Sequence, residues 1–424
     1  MGKILIRGGQ VIDPADQRDG PFDILIERGK IAQIQPAIAP NGATVIDATG
    51  TLVVPGLVDL HTHLREPGRE DKETIATGSA AAARGGFTTI CAMPNTTPPA
   101  DHRGVVDLIH QAAQRCGIVS VHAVGSITKG RQGKELTDFG ELFDAGCIAL
   151  SDDGNPVADS FLMRRALEYA KVFGRPLIQH AEDPALSAGG VMHEGLVSTT
   201  LGLRGIPSEA ESVLVARDLA LAELTGGWVH VAHLSSGASV ELIRQAKRRG
   251  VHVTCEVTPH HVALTHEAVG TFETRAKVNP PLRTEQDRLA LVEGLRDGTI
   301  DCIATDHAPH TEWEKDADFD SAPFGISGLE TALGVCVETL VKPGLLTWSQ
   351  LVEKLSINPA RIAGLECGTL GVGREADLTL IDPIAQWTVD SQRFASKGRN
   401  TPFAGRTLTS VVVRVLRHGV EVSR

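Results

Sequence analysis

The chain has no CxxC pair, no apolar run long enough to span a bilayer, no excess of positive charge and no low-complexity segment. Each absence excludes a class of protein. The seven cysteines (Cys91, Cys116, Cys147, Cys255, Cys302, Cys336 and Cys367) are scattered, mostly in apolar runs, without small-domain spacing, and read as reduced core residues. The first residues move straight into strand-like alternation with no signal-peptide apolar region, which with the missing span sets the expectation of a cytoplasmic protein. A net charge of −11 argues against nucleic acid or an anionic membrane as the main partner, because both reward clustered Lys and Arg. Small molecules are the default partners. What is present is ordinary for a globular protein: 424 residues, 42% hydrophobic and 22% charged, enough for a large core.

Residues 3–53 alternate apolar and polar, with turns at Gly8-Gly9, Asp13-Pro14 and Asn41-Gly42, the signature of short antiparallel strands. From residue 52 the pattern changes to short apolar strands separated by helical segments, as in parallel sheets with crossover helices. Eight strands are predicted, over 52–63, 87–95, 119–128, 147–153, 176–183, 228–236, 252–261 and 301–310. Helices are predicted between them, among others over 72–84, 101–115, 161–173, 208–224, 238–249 and 286–296, with two more over 327–340 and 347–355. Residues 368–424 return to strand-and-turn alternation. The fold class is therefore α/β: a (β/α)8 TIM barrel over 54–365, beside a small β-sandwich built from both chain ends, 1–53 and 366–424.

Chemistry concentrates at the predicted strand ends. In Leu57-Val-Asp-Leu-His-Thr-His63, side chains two apart on a strand share a face, so His61 and His63 form a clamp. Arg65 follows before the turn made by Pro67 and Gly68, and a fixed cation beside a metal suggests an anionic substrate. Asn95 closes strand two, Asp152 and Asp153 strand four, His180 strand five, His233 strand six, and Asp306, His307 and His310 strand eight. A barrel gathers such ends at one mouth. Four imidazoles and two carboxylates suit Zn²⁺, and six ligands divide between two metals if one carboxylate bridges. Strand alternation alone leaves Asp152 and Asp153 equally eligible, since a one-residue boundary error swaps their faces.

These residues resemble the amidohydrolase superfamily and, within it, the dihydroorotases of the longer bacterial class I type. The resemblance runs over nearly the whole chain, through His61-Thr-His-Leu-Arg-Glu-Pro-Gly68, Met93-Pro-Asn-Thr96, Ser151-Asp-Asp-Gly154, Thr254-Cys-Glu-Val-Thr-Pro-His-His261, Lys277-Val-Asn-Pro-Pro-Leu-Arg283, Ile303-Ala-Thr-Asp-His-Ala-Pro-His310 and Ala322-Pro-Phe-Gly-Ile-Ser-Gly-Leu-Glu330. It implies that His61, His63 and Asp306 hold one zinc, that His180 and His233 hold a second, and that Asp153 bridges them. A strand-four lysine, carbamylated in many such sites, is absent here, which leaves a single-metal enzyme open. It further implies that Arg65, Asn95 and Asn279 grip the substrate's α-carboxylate, while His310 and the backbone near Pro323 and Gly325 bind its ring.

The implied reaction is the reversible cyclisation of N-carbamoyl-L-aspartate to L-dihydroorotate and water in de novo pyrimidine synthesis. In the hydrolytic direction metal-activated water attacks the ring amide carbonyl, and Asp306 shuttles the proton. A homo-oligomer and a complex with aspartate carbamoyltransferase are further implications. A dihydropyrimidinase or hydantoinase, which usually has the bridging lysine and lacks the Arg-Glu-Pro-Gly block, and a non-catalytic subunit of aspartate carbamoyltransferase are the alternatives. The charged stretch 310–325 is long for a βα loop and reads equally as a mobile lid over the mouth or as a plain solvated loop.

Overall fold

Gly56 is where the chain passes from one sheet to another. In the computed structural model, which describes residues 2–422, a Cβ on Gly56 would lie 2.0 Å from Thr88 Oγ1, so only glycine passes this crossing. The strand expected over 52–63 is consequently two. Leu52–Pro55 pairs antiparallel with Leu378–Thr388, and Leu57–Thr62 enters the barrel.

The first of these sheets has eight strands drawn from both ends of the chain. Ile4–Asp13 lies beside Leu52–Pro55, and Arg18–Glu27 and Lys30–Gln35 extend the sheet outward. Leu378–Thr388, Thr407–Arg417 and Val420–Glu421 extend it on the other side, and the eighth strand, Thr44–Asp47, pairs parallel with Ile4–Asp13. Its inward apolar positions close over one another, with Ile6, Val11, Ile24 and Val53 packed against Leu378 and Leu416.

The barrel strands are β1 (Leu57–Thr62), β2 (Phe87–Ala92), β3 (Ser120–Ala123), β4 (Leu150–Ser151), β5 (Leu177–Gln179), β6 (Val229–Val231), β7 (Val253–Val257) and β8 (Cys302–Ile303). Parallel pairing joins β1 to β3 and β4 to β8. Two parallel bridges complete the ring: Gly125 with Leu150 links β3 to β4, and Thr62 with His307 links β8 back to β1. The His63 amide donates to His307 O at 2.8 Å across that last seam. Inside stand Leu60, Cys91, Val124, Ile178 and Cys302, with Ile362 and Ala363 packed against them. The α/β architecture of a (β/α)8 barrel beside a β-sandwich is therefore present.

All eight strands are shorter than expected because the backbone turns away at the mouth. His233 and Asp306 adopt left-handed φ of 31° and 46°, which no extended strand tolerates. The strand expected to reach 261 stops at Val257, because the Thr258 side chain accepts from the His261 amide and caps the short helix Pro259–Ala263. The helix expected over 327–340 begins only at Ala332, since Ile326 is still pairing with His307. Other helices lie within a few residues of expectation, as Ser160–Lys171 and Glu285–Arg296, each capped by the side chain preceding it. All seven cysteines are free, five of them buried.

Gly56→Ala should destabilise the fold by about 1–3 kcal/mol, the range for a forced insertion into a packed site. A lower urea midpoint is the expected reading, and an unchanged midpoint would contradict the steric account of the crossing.

Candidate metal centre

The six expected ligands come from five strand ends and meet around one carboxylate. Asp153 Oδ1 lies 3.3 Å from His61 Nε2, 3.3 Å from His233 Nε2 and 3.7 Å from His180 Nδ1. Its Oδ2 lies 3.4 Å from His63 Nε2. Asp306 Oδ1 faces the same two strand-one imidazoles, 3.0 Å from His63 Nε2 and 3.6 Å from His61 Nε2. His180 Nδ1 and His233 Nε2 are 2.9 Å apart. All six are buried. The choice between the strand-four aspartates is made by the fold: Asp152 accepts from the Thr128 amide at 2.9 Å and from its hydroxyl, and leaves the mouth to Asp153.

The donor set fits a metal ion. His61 Nε2 is buried without a hydrogen-bond partner, although two carboxylates face it. The donor atoms of His61, His63 and Asp306 lie within 4.8 Å of one another, as do those of His61, Asp153 and His233. Burial opposes charge on both aspartates, yet the surrounding imidazoles hold each carboxyl below the usual carboxylate range. Both are thus ionised, as ligation requires.

Arg65 sits just beyond β1 in left-handed backbone, φ 61°, and its Nε is buried without a partner. Burial lowers its pKa to about 10, with Asp306 and Asp153 pulling the other way, so it stays a cation at neutral pH. It shares a cavity of about 190 Å³ with His63, Asn95, Asp153, His180, His233, Asn279, Asp306, His310 and Gly325.

Several of the expected substrate contacts have protein partners as well. Asn95 Oδ1 accepts from His63 Nδ1 at 2.8 Å, which leaves its amide hydrogens for a ligand. Asn279 Nδ2 donates to Glu182 Oε2 at 2.9 Å. His310 Nε2 donates to Phe324 O at 2.8 Å and its Nδ1 accepts from Lys72 Nζ at 3.1 Å. Burial, with Arg65 and Lys72 beside it, lowers the His310 pKa to about 2 and keeps the ring neutral. Pro323 lies outside the cavity lining, where Phe324 takes its place. Its carbonyl accepts instead from Lys315 Nζ at 2.7 Å, and two further carbonyls, Thr274 O at 2.9 Å and Lys277 O at 3.2 Å, complete the cage that ties 310–325 down. A Cβ on Gly325 would come within 2.7 Å of Ala308 O, so only glycine brings its backbone this close.

Sequence reasoning passed over Glu256, Lys72, Glu182 and Asn400. Glu256 accepts from His61 Nδ1 at 2.7 Å, and Asn400 Oδ1 accepts from the His310 amide at 3.0 Å. Glu256 lies within a block already singled out, and strand alternation in Thr254-Cys-Glu256 was the available signal. Asn400 carries no local signal, for it reaches the mouth from the far end of the chain. Among the described residues no helix is long and apolar enough to cross a membrane.

Comparison with known proteins places the chain in a family. A family model described as Dihydro-orotase-like matches residues 50–239. The chain is 56% identical to a dihydroorotase of Pelotomaculum thermopropionicum, covering 96% of this chain and 95% of that one. It is 54% identical to a dihydroorotase of Syntrophus aciditrophicus over 98% of each. Among solved structures it is similar to the L-hydantoinase (dihydropyrimidinase) of Arthrobacter aurescens, with a TM-score of 0.89 and 26% identity over 100% of this chain and 96% of that one. It is likewise similar to a dihydropyrimidinase from Brevibacillus agri, with a TM-score of 0.86, 25% identity and coverage of 100% and 95%. With relatives of this identity along nearly its whole length, the chain belongs to the dihydroorotase family.

Proposed function

We propose that the protein is a zinc-dependent dihydroorotase that interconverts N-carbamoyl-L-aspartate and L-dihydroorotate in pyrimidine biosynthesis. The observation that carries this reading is a guanidinium, Arg65, lining the same small cavity as His63, His180, His233, Asp153 and Asp306, with His61 buried directly behind them. His61, His63 and Asp306 would hold one zinc, His180 and His233 a second, and Asp153 would bridge them, two per chain. Bound there, zinc supplies Lewis acidity and a water acidified toward a pKa of about 7.

The chain's own groups do the rest. Arg65 presents a planar fork to the substrate carboxylate, and the amides of Asn95 and Asn279 flank it. His310 and the backbone at Phe324 and Gly325 border the ring. Asp306, ionised, takes the proton from the ureido nitrogen during closure and returns it to the departing nitrogen during hydrolysis. Asn95 keeps the His63 ring in register through Nδ1, so its Nε2 faces the centre.

We infer further that residues 1–53 and 366–424 form the sandwich domain and 54–365 the barrel domain. Seven unpaired thiols support a cytoplasmic setting, and resemblance alone supports self-association and assembly with aspartate carbamoyltransferase. The likeness to hydantoinases supports a second reading, hydrolysis of uncharged cyclic ureides. Arg65 argues against it, because a ring without a carboxylate leaves a buried guanidinium unpaired.

Three outcomes follow. Chelated protein should lose dihydroorotate hydrolysis and regain it with zinc at two ions per chain, while dihydrouracil remains a poor substrate; turnover of dihydrouracil at a matching rate would favour the second reading. Arg65→Lys should raise KM for carbamoyl-aspartate by about 10- to 100-fold at unchanged zinc content, and a wild-type KM would remove the assigned role. Ring closure converts a carboxylate to an amide and so consumes a proton. The equilibrium ratio of dihydroorotate to carbamoyl-aspartate should therefore rise about tenfold per unit fall in pH above the carboxylate range, and a flat ratio would contradict the reaction.

A further inference from the structure

Beneath the metal centre, a line of hydrogen bonds runs up the inside of the barrel along β6 and β7. Trp228 Nε1 donates to Thr254 Oγ1 at 3.0 Å. Thr254 Oγ1 and His230 Nδ1 are 2.9 Å apart, and His230 Nε2 and Glu256 Oε2 are 3.3 Å apart. Glu256 Oε1 then meets His61 Nδ1 at 2.7 Å and also accepts from the His233 amide at 3.4 Å. The four residues below His61 sit at alternate positions, Trp228 and His230 along one strand path, Thr254 and Glu256 along the next, so all four share the inner face.

The chemistry of the two ends gives this line a direction. An indole N–H can only donate, so Thr254 accepts from Trp228 and turns its own proton toward His230 Nδ1. At the other end an ionised carboxylate can only accept, so both nitrogens facing Glu256 carry protons: Nε2 of His230 and Nδ1 of His61. His230 is thereby set to the tautomer that accepts at Nδ1 and donates at Nε2, in agreement from both sides. With Nδ1 committed to Glu256, the other ring nitrogen, Nε2, which faces Asp153 and Asp306 and has no hydrogen-bond partner among the described residues, is the His61 atom left to meet a metal ion.

We propose that Trp228, Thr254, His230 and Glu256 form a polarised relay whose task is to hold His61 in the Nδ1–H tautomer, with Nε2 presented to the metal. Glu256 is the positioning residue, and the other three fix its orientation from the barrel floor. The proposal rests on the metal reading above. It assigns to the strand-seven block a role in metal affinity, distinct from any contact with substrate. It also explains why a carboxylate stands fully buried with no lysine or arginine side chain bonded to it among the described residues: two imidazole N–H groups and a backbone amide satisfy it.

The test uses the full chain and zinc itself as the probe, with affinity measured by chelator competition and melting of the metal-free protein as control. Glu256→Gln should weaken zinc binding by about 10- to 100-fold, the range for losing such a partner. Thr254→Val should weaken it in the same direction and Thr254→Ser should restore it, with melting of the metal-free proteins alike. In ¹⁵N-histidine-labelled, zinc-loaded wild type, His61 should show a protonated Nδ1. Should Glu256→Gln fail to fold, the Val and Ser variants at Thr254 decide the matter. Wild-type affinity in Thr254→Val, or a bare Nδ1 on His61, overturns the relay alone. A wild-type chain that takes up no zinc overturns the metal reading and the relay with it.

Discussion

Closure of the barrel by parallel pairing is the constraint on which everything else depends. A strand running the same way as both neighbours delivers its C-terminal end to the same rim, and eight such strands deliver eight ends to one mouth. The last seam, Thr62 against His307, sets β8 beside β1 and brings Asp306 within 3.0 Å of a histidine 243 positions earlier. Open that seam and the two halves of the candidate centre separate. Gly56 serves the same end from outside, since only a residue without a side chain lets the chain leave the terminal sheet against Thr88 and enter the barrel in register.

Gathering six polar side chains at the rim has a cost in desolvation, and the arrangement offsets it by pairing. Each carboxylate faces imidazoles, and three of the four imidazoles have a second partner behind them: Glu256 for His61, Asn95 for His63, Glu182 for His180. The backbone is held in uncommon conformations at three neighbouring points, Arg65, His233 and Asp306. Such strain persists where packing around it over-determines the geometry, and it clusters at functional sites. Lys315 does related work for the rim loop, its ammonium lodged among three main-chain carbonyls, and burial lowers its pKa to about 7.

The small cavity and the guanidinium beside it are what bear on the charge of the molecule this chain holds. The backbone likeness is close over the full length, yet backbone likeness carries no information on what the pocket must neutralise. Arg65 does, because its buried Nε lacks a protein partner and its fork is shaped for a planar anion.

The sequence by itself determined the class of fold and the chemical types at the strand ends. Alternating βα grammar, a histidine pair two apart, and single His or Asp residues closing later strands are local patterns, and local patterns survive in the linear chain. What only the tertiary structure decided were the things that depend on direction and distance. Asp153 rather than Asp152 faces the centre because the preceding backbone fixes which side of a two-residue strand is inward, and alternation cannot count from an uncertain boundary. The strand ends break early because His233 and Asp306 leave the extended region, which nothing in residue type announces. Asn400 and Lys72 came into view only on folding, since a hydrogen bond across the barrel joins residues that share no sequence neighbourhood, and its partner is set by the geometry of closure.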